Sequence, residues 1–86
     1  MHYKDFHSFK YKCNKLTEEL TELASVLLQQ RNKPTWDLST EIENELADVH
    51  VWLNAVMEYY DTNAITNRVI EKIKMYDCLE EKHEKL

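Results

Sequence analysis

Residues 16–30 read LTEELTELASVLLQQ, and the apolar positions in and around this stretch decide the fold. From Asp5 to Gln30 the side chains of Phe6, Phe9, Cys13, Leu16, Leu20, Leu23 and Leu27 recur at alternating intervals of three and four, which is the period of an amphipathic helix and not of a strand. The next six residues, Arg31-Asn32-Lys33-Pro34-Thr35-Trp36, interrupt that period. Pro34 excludes helical angles at Lys33, so the sequence predicts a turn. Asp37, Ser39 and Thr40 are candidate N-caps, and Thr40 with Glu43 fits a capping box, so a second helix is predicted from near Leu38 to about Tyr60. Asp61-Thr62-Asn63 supplies a polar break. A third helix then starts at about Ala64, with Ile65, Val69, Ile73, Tyr76 and Leu79 as its apolar positions and a charged tail, Glu80 to Leu86, that is expected to fray.

The composition agrees with an all-α fold. There is no Gly and a single Pro among 86 residues, which disfavours tight hairpins and excludes a P-loop or a dinucleotide-binding turn. A chain of this length holds one domain, residues 1–86: an antiparallel helical hairpin plus a third helix, in a bundle completed by oligomerisation. The formal net charge of −5 argues against nucleic acid as a partner, because displacing counterions from a phosphate backbone needs a basic surface. No apolar run is long enough to span a membrane, and Met1–Lys12 lacks a signal-peptide core, so a soluble, cytoplasmic protein is expected. Cys13 and Cys78, the two cysteines, have no nearby thiol in sequence and are expected to be reduced.

The acidic residues are less ordinary. On a helical wheel Leu38, Ile42, Val49, Trp52, Leu53 and Val56 occupy one arc of the second helix, with Glu45 near its middle and Asp48 at its edge. In the first helix Glu19 falls between the directions of Leu23 and Val26, and Glu22 lies one step further round. Each pair is spaced i, i+3, and each stands about eight residues, on the order of 12 Å, from the turn, so the two pairs face each other at one level. Four carboxylates gathered in a partly buried place repel one another and raise their own pKa values unless a cation compensates. An all-oxygen set suits Mg²⁺, with Mn²⁺ as a substitute. The ordinary alternative is a set of solvated helix charges, and interior Glu45 is what argues against it.

Glu18-Glu19-Leu20-Thr21-Glu22, followed after 22 residues by Glu45-Leu46-Ala47-Asp48, resembles the EExxE…ExxD signature of the MazG-like all-α nucleoside triphosphate pyrophosphohydrolases. The resemblance is best from Leu16 to Trp52 and looser through Ile70-Glu71-Lys72-Ile73. It implies a Mg²⁺-dependent hydrolase that converts a (d)NTP to a (d)NMP and pyrophosphate in nucleotide-pool house-cleaning, with the metal at Glu19, Glu22, Glu45 and Asp48. Glu18 and Glu41, beside the two pairs on the wheel, are candidates for catalytic general-base or orienting work. The resemblance also suggests a phosphate contact for Lys72, although Asp77 and Cys78 stand where the family often carries Asn or Arg, so Arg68, Arg31 and Lys33 are alternatives. Trp36 in the turn is a candidate for stacking on the substrate base, or else a hydrophobic staple, whereas Trp52 reads as core. None of the four histidines, His2, His7, His50 and His83, has metal-ligand spacing.

Three helices of this size display more apolar face than they cover for one another, which points to a homodimer or homotetramer. Two other readings remain open at this level. One is a related dUTPase or phosphoribosyl-ATP pyrophosphohydrolase. The other is a non-enzymatic helical interaction or regulatory protein, in which the position of Glu45 would be expected to hold Leu or Ile.

Overall fold

The computed structural model of the chain describes residues 8–84 and is all-helical over them: α1 (Phe9–Asn32), α2 (Ser39–Met57) and α3 (Thr62–Glu84). Helix α1 begins later than the apolar period suggests, because Ser8 stops it. Its backbone is extended (φ −68°, ψ 163°) and its Oγ accepts the Tyr11 N–H at 3.2 Å, which satisfies one of the amides that a helix start leaves without partners. The predicted start at Asp5 and the apolar position Phe6 lie outside the described residues.

The reversal after α1 follows from Pro34. Lys33 leaves helical angles (φ −129°, ψ 69°) while its N–H still donates to the Gln29 carbonyl. Gln30 then ties the turn together, its Nε2 donating to the Trp36 carbonyl at 2.7 Å and its Oε1 accepting the Leu38 N–H at 3.0 Å. The Thr40–Glu43 capping box does not form. Asp37 captures Ser39 instead, accepting its N–H at 3.1 Å and its hydroxyl at 2.6 Å, so the helix is already under way when the chain reaches Thr40. These two bonds hold the Asp37 carboxyl below its usual range, the hydroxyl contributing most.

Helix α2 ends at Met57, three residues before the expected Tyr60, in tight turns from Tyr59 N–H to the Val56 carbonyl and from Tyr60 N–H to the Met57 carbonyl. Asp61 Oδ1 accepts the Ala64 N–H at 3.1 Å and lets α3 start at Thr62, earlier than Ala64. Helix α3 also runs on to Glu84 where fraying from Glu80 was expected. Residues 80–84 contain neither Gly nor Pro and include the strong helix formers Glu and Lys.

Helices α1 and α2 pack as the expected antiparallel hairpin: Gln30 meets Leu38, Lys15 meets Trp52 and Lys12 meets Tyr59. The rotation of α1 is a surprise. Its buried residues are Lys12, Glu19 and Val26, at heptad intervals, and half-buried Cys13, Lys15, Leu16, Leu23 and Gln30 flank them. Leu20 and Leu27, expected in the packed stripe, are 48% and 45% exposed. On α2 the predicted arc holds at Leu38, Ile42, Glu45, Val49, Trp52 and Val56, all half-buried, but Leu53 faces solvent. Among the described residues the buried apolar side chains are Val26 and Ala55. Among the described side chains of α3, Ala64 and Ile65 at its start are half-buried, and Val69, Ile73, Tyr76 and Leu79 are exposed. The radius of gyration, 16.6 Å, exceeds the about 12 Å of a compact chain of this length.

Candidate metal centre

The hairpin brings carboxylates from both helices into one group. Glu19, Glu22 and Glu45 each present an oxygen, and these atoms lie within 4.8 Å of one another. Glu19 is buried, Glu45 half-buried and Glu22 exposed, so the group opens to solvent on the Glu22 side. Asp48 is exposed and stands outside the group of three, near enough for its charge to act on Glu19.

Burial has a visible cost here. Glu19 Oε2 and Glu45 Oε2 are out of contact with solvent and have no hydrogen-bond partner. A polar oxygen left this way costs about 1–3 kcal/mol, more when it is charged. The Glu19 carboxyl is accordingly raised above the usual carboxylate range, first by burial, then by its interaction with the Glu22 carboxyl, then by the charges of Glu22 and Asp48, with Lys15 pulling the other way. Lys15 Nζ lies 3.6 Å from Glu19 Oε1 and 3.3 Å from Glu18 Oε2. Glu18 pulls the Lys15 ammonium above its usual range, chiefly by hydrogen bonding. One half-exposed lysine shared between two carboxylates cannot neutralise three to four negative charges.

The donor chemistry fits a hard divalent cation. All the convergent atoms are carboxylate oxygens, with no sulfur or imidazole among them, and the two orphaned oxygens are the kind of atom that an ion would satisfy.

The other sequence-derived candidates are dispersed. Glu18 is exposed and tied to Lys15, and Glu41 is exposed in the first turn of α2, one turn before Glu45. Trp36 is half-exposed in the turn, with Lys33 Nζ 3.9 Å from its ring centroid, so its ring faces a cation of its own chain. Trp52 is half-buried and adjoins the group, its ring 5.9 Å from that of Tyr11 and 5.8 Å from Lys15 Nζ. Lys72 and Arg68 are exposed on the part of α3 that does not pack on the hairpin, and the basic group acting on Glu19 is Lys15. Arg31 is engaged with its neighbour Asn32. Cys13 and Cys78 are free thiols. Sequence reasoning passed over Lys12 and Lys15, although both fall on the Glu19 side of α1, seven and four residues before it. Among the described residues no helix is long and apolar enough to cross a membrane. No known protein family, curated protein or solved structure matches the chain.

Proposed function

We propose that this chain is a Mg²⁺-dependent nucleoside triphosphate pyrophosphohydrolase acting on a (d)NTP. The observation that carries the reading is the convergence of Glu19, Glu22 and Glu45 from two helices, with unpartnered buried oxygens on Glu19 and Glu45. Such a group is unfavourable as a purely structural feature, because apolar residues in the same positions would pack without desolvation or repulsion. Glu19, Glu22, Glu45 and Asp48 would hold the ion. When bound, Mg²⁺ or Mn²⁺ supplies charge neutralisation to a triphosphate and acidity to a coordinated water. In this reading Glu41 or Glu18 would take up a proton beside it, Glu18 only once Lys15 leaves it.

The active form in this reading is a homodimer or homotetramer. The chain exposes 7106 Å², roughly 1,700 Å² more than the about 5,400 Å² of a compact 10.4 kDa monomer. An excess of that size on each copy is what an obligate homodimer buries. The apolar surfaces available for it are the Leu20 and Leu27 stripe of α1 and Val69, Ile73 and Tyr76 of α3. Closing them with a second copy would also bring an α3 against a hairpin.

The test is a panel of ribo- and deoxynucleoside triphosphates, each incubated with purified protein and Mg²⁺ and analysed for products. Release of pyrophosphate with the matching monophosphate supports the proposal. Orthophosphate as the product, or undiminished turnover in EDTA, overturns it.

A further inference from the structure

The inner face of α1 carries two lysines in line with its carboxylates. Lys12 is only 5% exposed. Its Nζ donates to the Tyr59 hydroxyl at 3.1 Å and lies 5.0 Å from the Tyr59 ring centroid, and among the described residues it forms no ion pair. Lys15, one turn further on, holds Glu18 and Glu19 and faces the Trp52 ring. At ~1.5 Å per residue, Lys15 precedes Glu19 by about 6 Å along the helix and Lys12 by about 10 Å. The hairpin therefore presents two cations running into a carboxylate group.

An ammonium taken out of water needs an opposite charge, and a phenol with the face of its ring compensates only in part. A seam built for packing alone would place Leu at this position. Among the described residues Lys12 therefore faces only the Tyr59 phenol, just as one buried oxygen on each of Glu19 and Glu45 has no hydrogen-bond partner. A ligand that carries a divalent ion at one end and phosphate oxygens at the other satisfies both.

We propose that Lys12 and Lys15 are the phosphate-binding groups of this site, and that a metal-chelated polyphosphate lies along α1 from the carboxylates toward Lys12. Lys15 exchanges its pairing with Glu18 and Glu19 for phosphate oxygens, and Lys12 takes the far end of the chain. The assignment rests on the metal-site reading and replaces Lys72 and Arg68 as the first phosphate contacts, since both are exposed on α3 and neither is joined to the carboxylate group.

Calorimetric titration of the full chain separates the two ideas, using Mg²⁺ alone and then pyrophosphate in saturating Mg²⁺. The wild type, Lys12→Met, Lys15→Met and Lys72→Met should all bind Mg²⁺, with Lys15→Met binding it more tightly because a tethered competing cation is gone. Pyrophosphate should bind about ten- to a hundredfold more weakly to Lys12→Met and to Lys15→Met, and as in wild type to Lys72→Met. Lys12→Arg, which keeps the charge, should stay within a few-fold of wild type. Unchanged pyrophosphate affinity in both methionine variants, with Mg²⁺ binding intact, overturns the phosphate assignment and leaves the metal site standing. An equal loss in Lys12→Arg and Lys12→Met overturns it too, because packing and not charge would then be responsible. Failure of the wild type to bind Mg²⁺ removes both readings.

Discussion

Replacing Glu45 by glutamine removes one negative charge from three carboxylates whose oxygens lie within 4.8 Å, and it keeps the side chain's shape. At that separation and an effective dielectric of about 20, each pairwise repulsion amounts to roughly 3.5 kcal/mol. Proton uptake by raised Glu19 and solvent access on the Glu22 side relieve much of it, so a net gain of about 1–3 kcal/mol is expected for the metal-free protein. The new amide also supplies a hydrogen-bond donor to a group in which Glu19 Oε2 has no partner. For a chain of this size about 1 kcal/mol corresponds to roughly 4–8 °C, so Glu45→Gln should melt about 5–15 °C higher than wild type in EDTA. The order changes in Mg²⁺. An ion that binds only the folded state at ~100 times its Kd adds about 2.7 kcal/mol to the wild type and much less to a variant that lacks a ligand. Four thermal melts, two proteins with and without Mg²⁺, decide the matter. If Glu45→Gln is the less stable protein in EDTA and Mg²⁺ moves neither, Glu45 is a structural residue and the repulsion argument fails.

Glu19→Gln and Asp48→Asn should each lower pyrophosphate release at least about a hundredfold while far-ultraviolet circular dichroism stays unchanged, because in the proposed site each removes a charge that would hold the ion. Glu19 binds its proton more tightly in the folded than in the unfolded chain, so its contribution to metal-free stability is greatest at acid pH and falls as pH rises through the raised value. The same proton competes with Mg²⁺, so calorimetric Mg²⁺ affinity should be weaker at about pH 5 than at about pH 7.5, and an unchanged affinity would contradict the shift. Light scattering should give a multiple of 10.4 kDa, and Ile73→Lys on the open face of α3 should reduce it to the monomer.

The parts of this fold that are legible in the sequence are those set by local chemistry. Pro34 ends α1 because it restricts the residue before it, the three-four period finds α1, and the apolar arc from Leu38 to Val56 finds α2. Glu45 declares itself because a charge in the middle of an apolar arc is unfavourable wherever the helix packs. The rotation of α1 is not legible in the same way. Its most regular apolar stripe, through Leu20 and Leu27, faces out, while Lys12 and Glu19 turn in, a choice that hydrophobic pattern alone would reverse. That inversion is expected where the inner face serves a ligand and the apolar stripe serves another chain. Cap positions were misread for a related reason: Asp37, Ser39 and Thr40 compete for one helix start, and the winner depends on the turn that Gln30 holds. The missed lysines are the same lesson at the level of the site, since a lysine on an inner face is unremarkable in sequence until its burial is known.

If the hairpin holds a divalent cation at Glu19, Glu22 and Glu45, with Asp48 beside them, Mn²⁺ titration followed by electron paramagnetic resonance will detect it without reference to any substrate. The free-ion signal should be quenched stoichiometrically by the wild type and restored by excess Mg²⁺, and Glu19→Gln/Glu45→Gln should leave it unquenched. A wild-type protein that leaves the free Mn²⁺ signal intact, or a double variant that quenches it equally well, would rule out a metal site at these carboxylates.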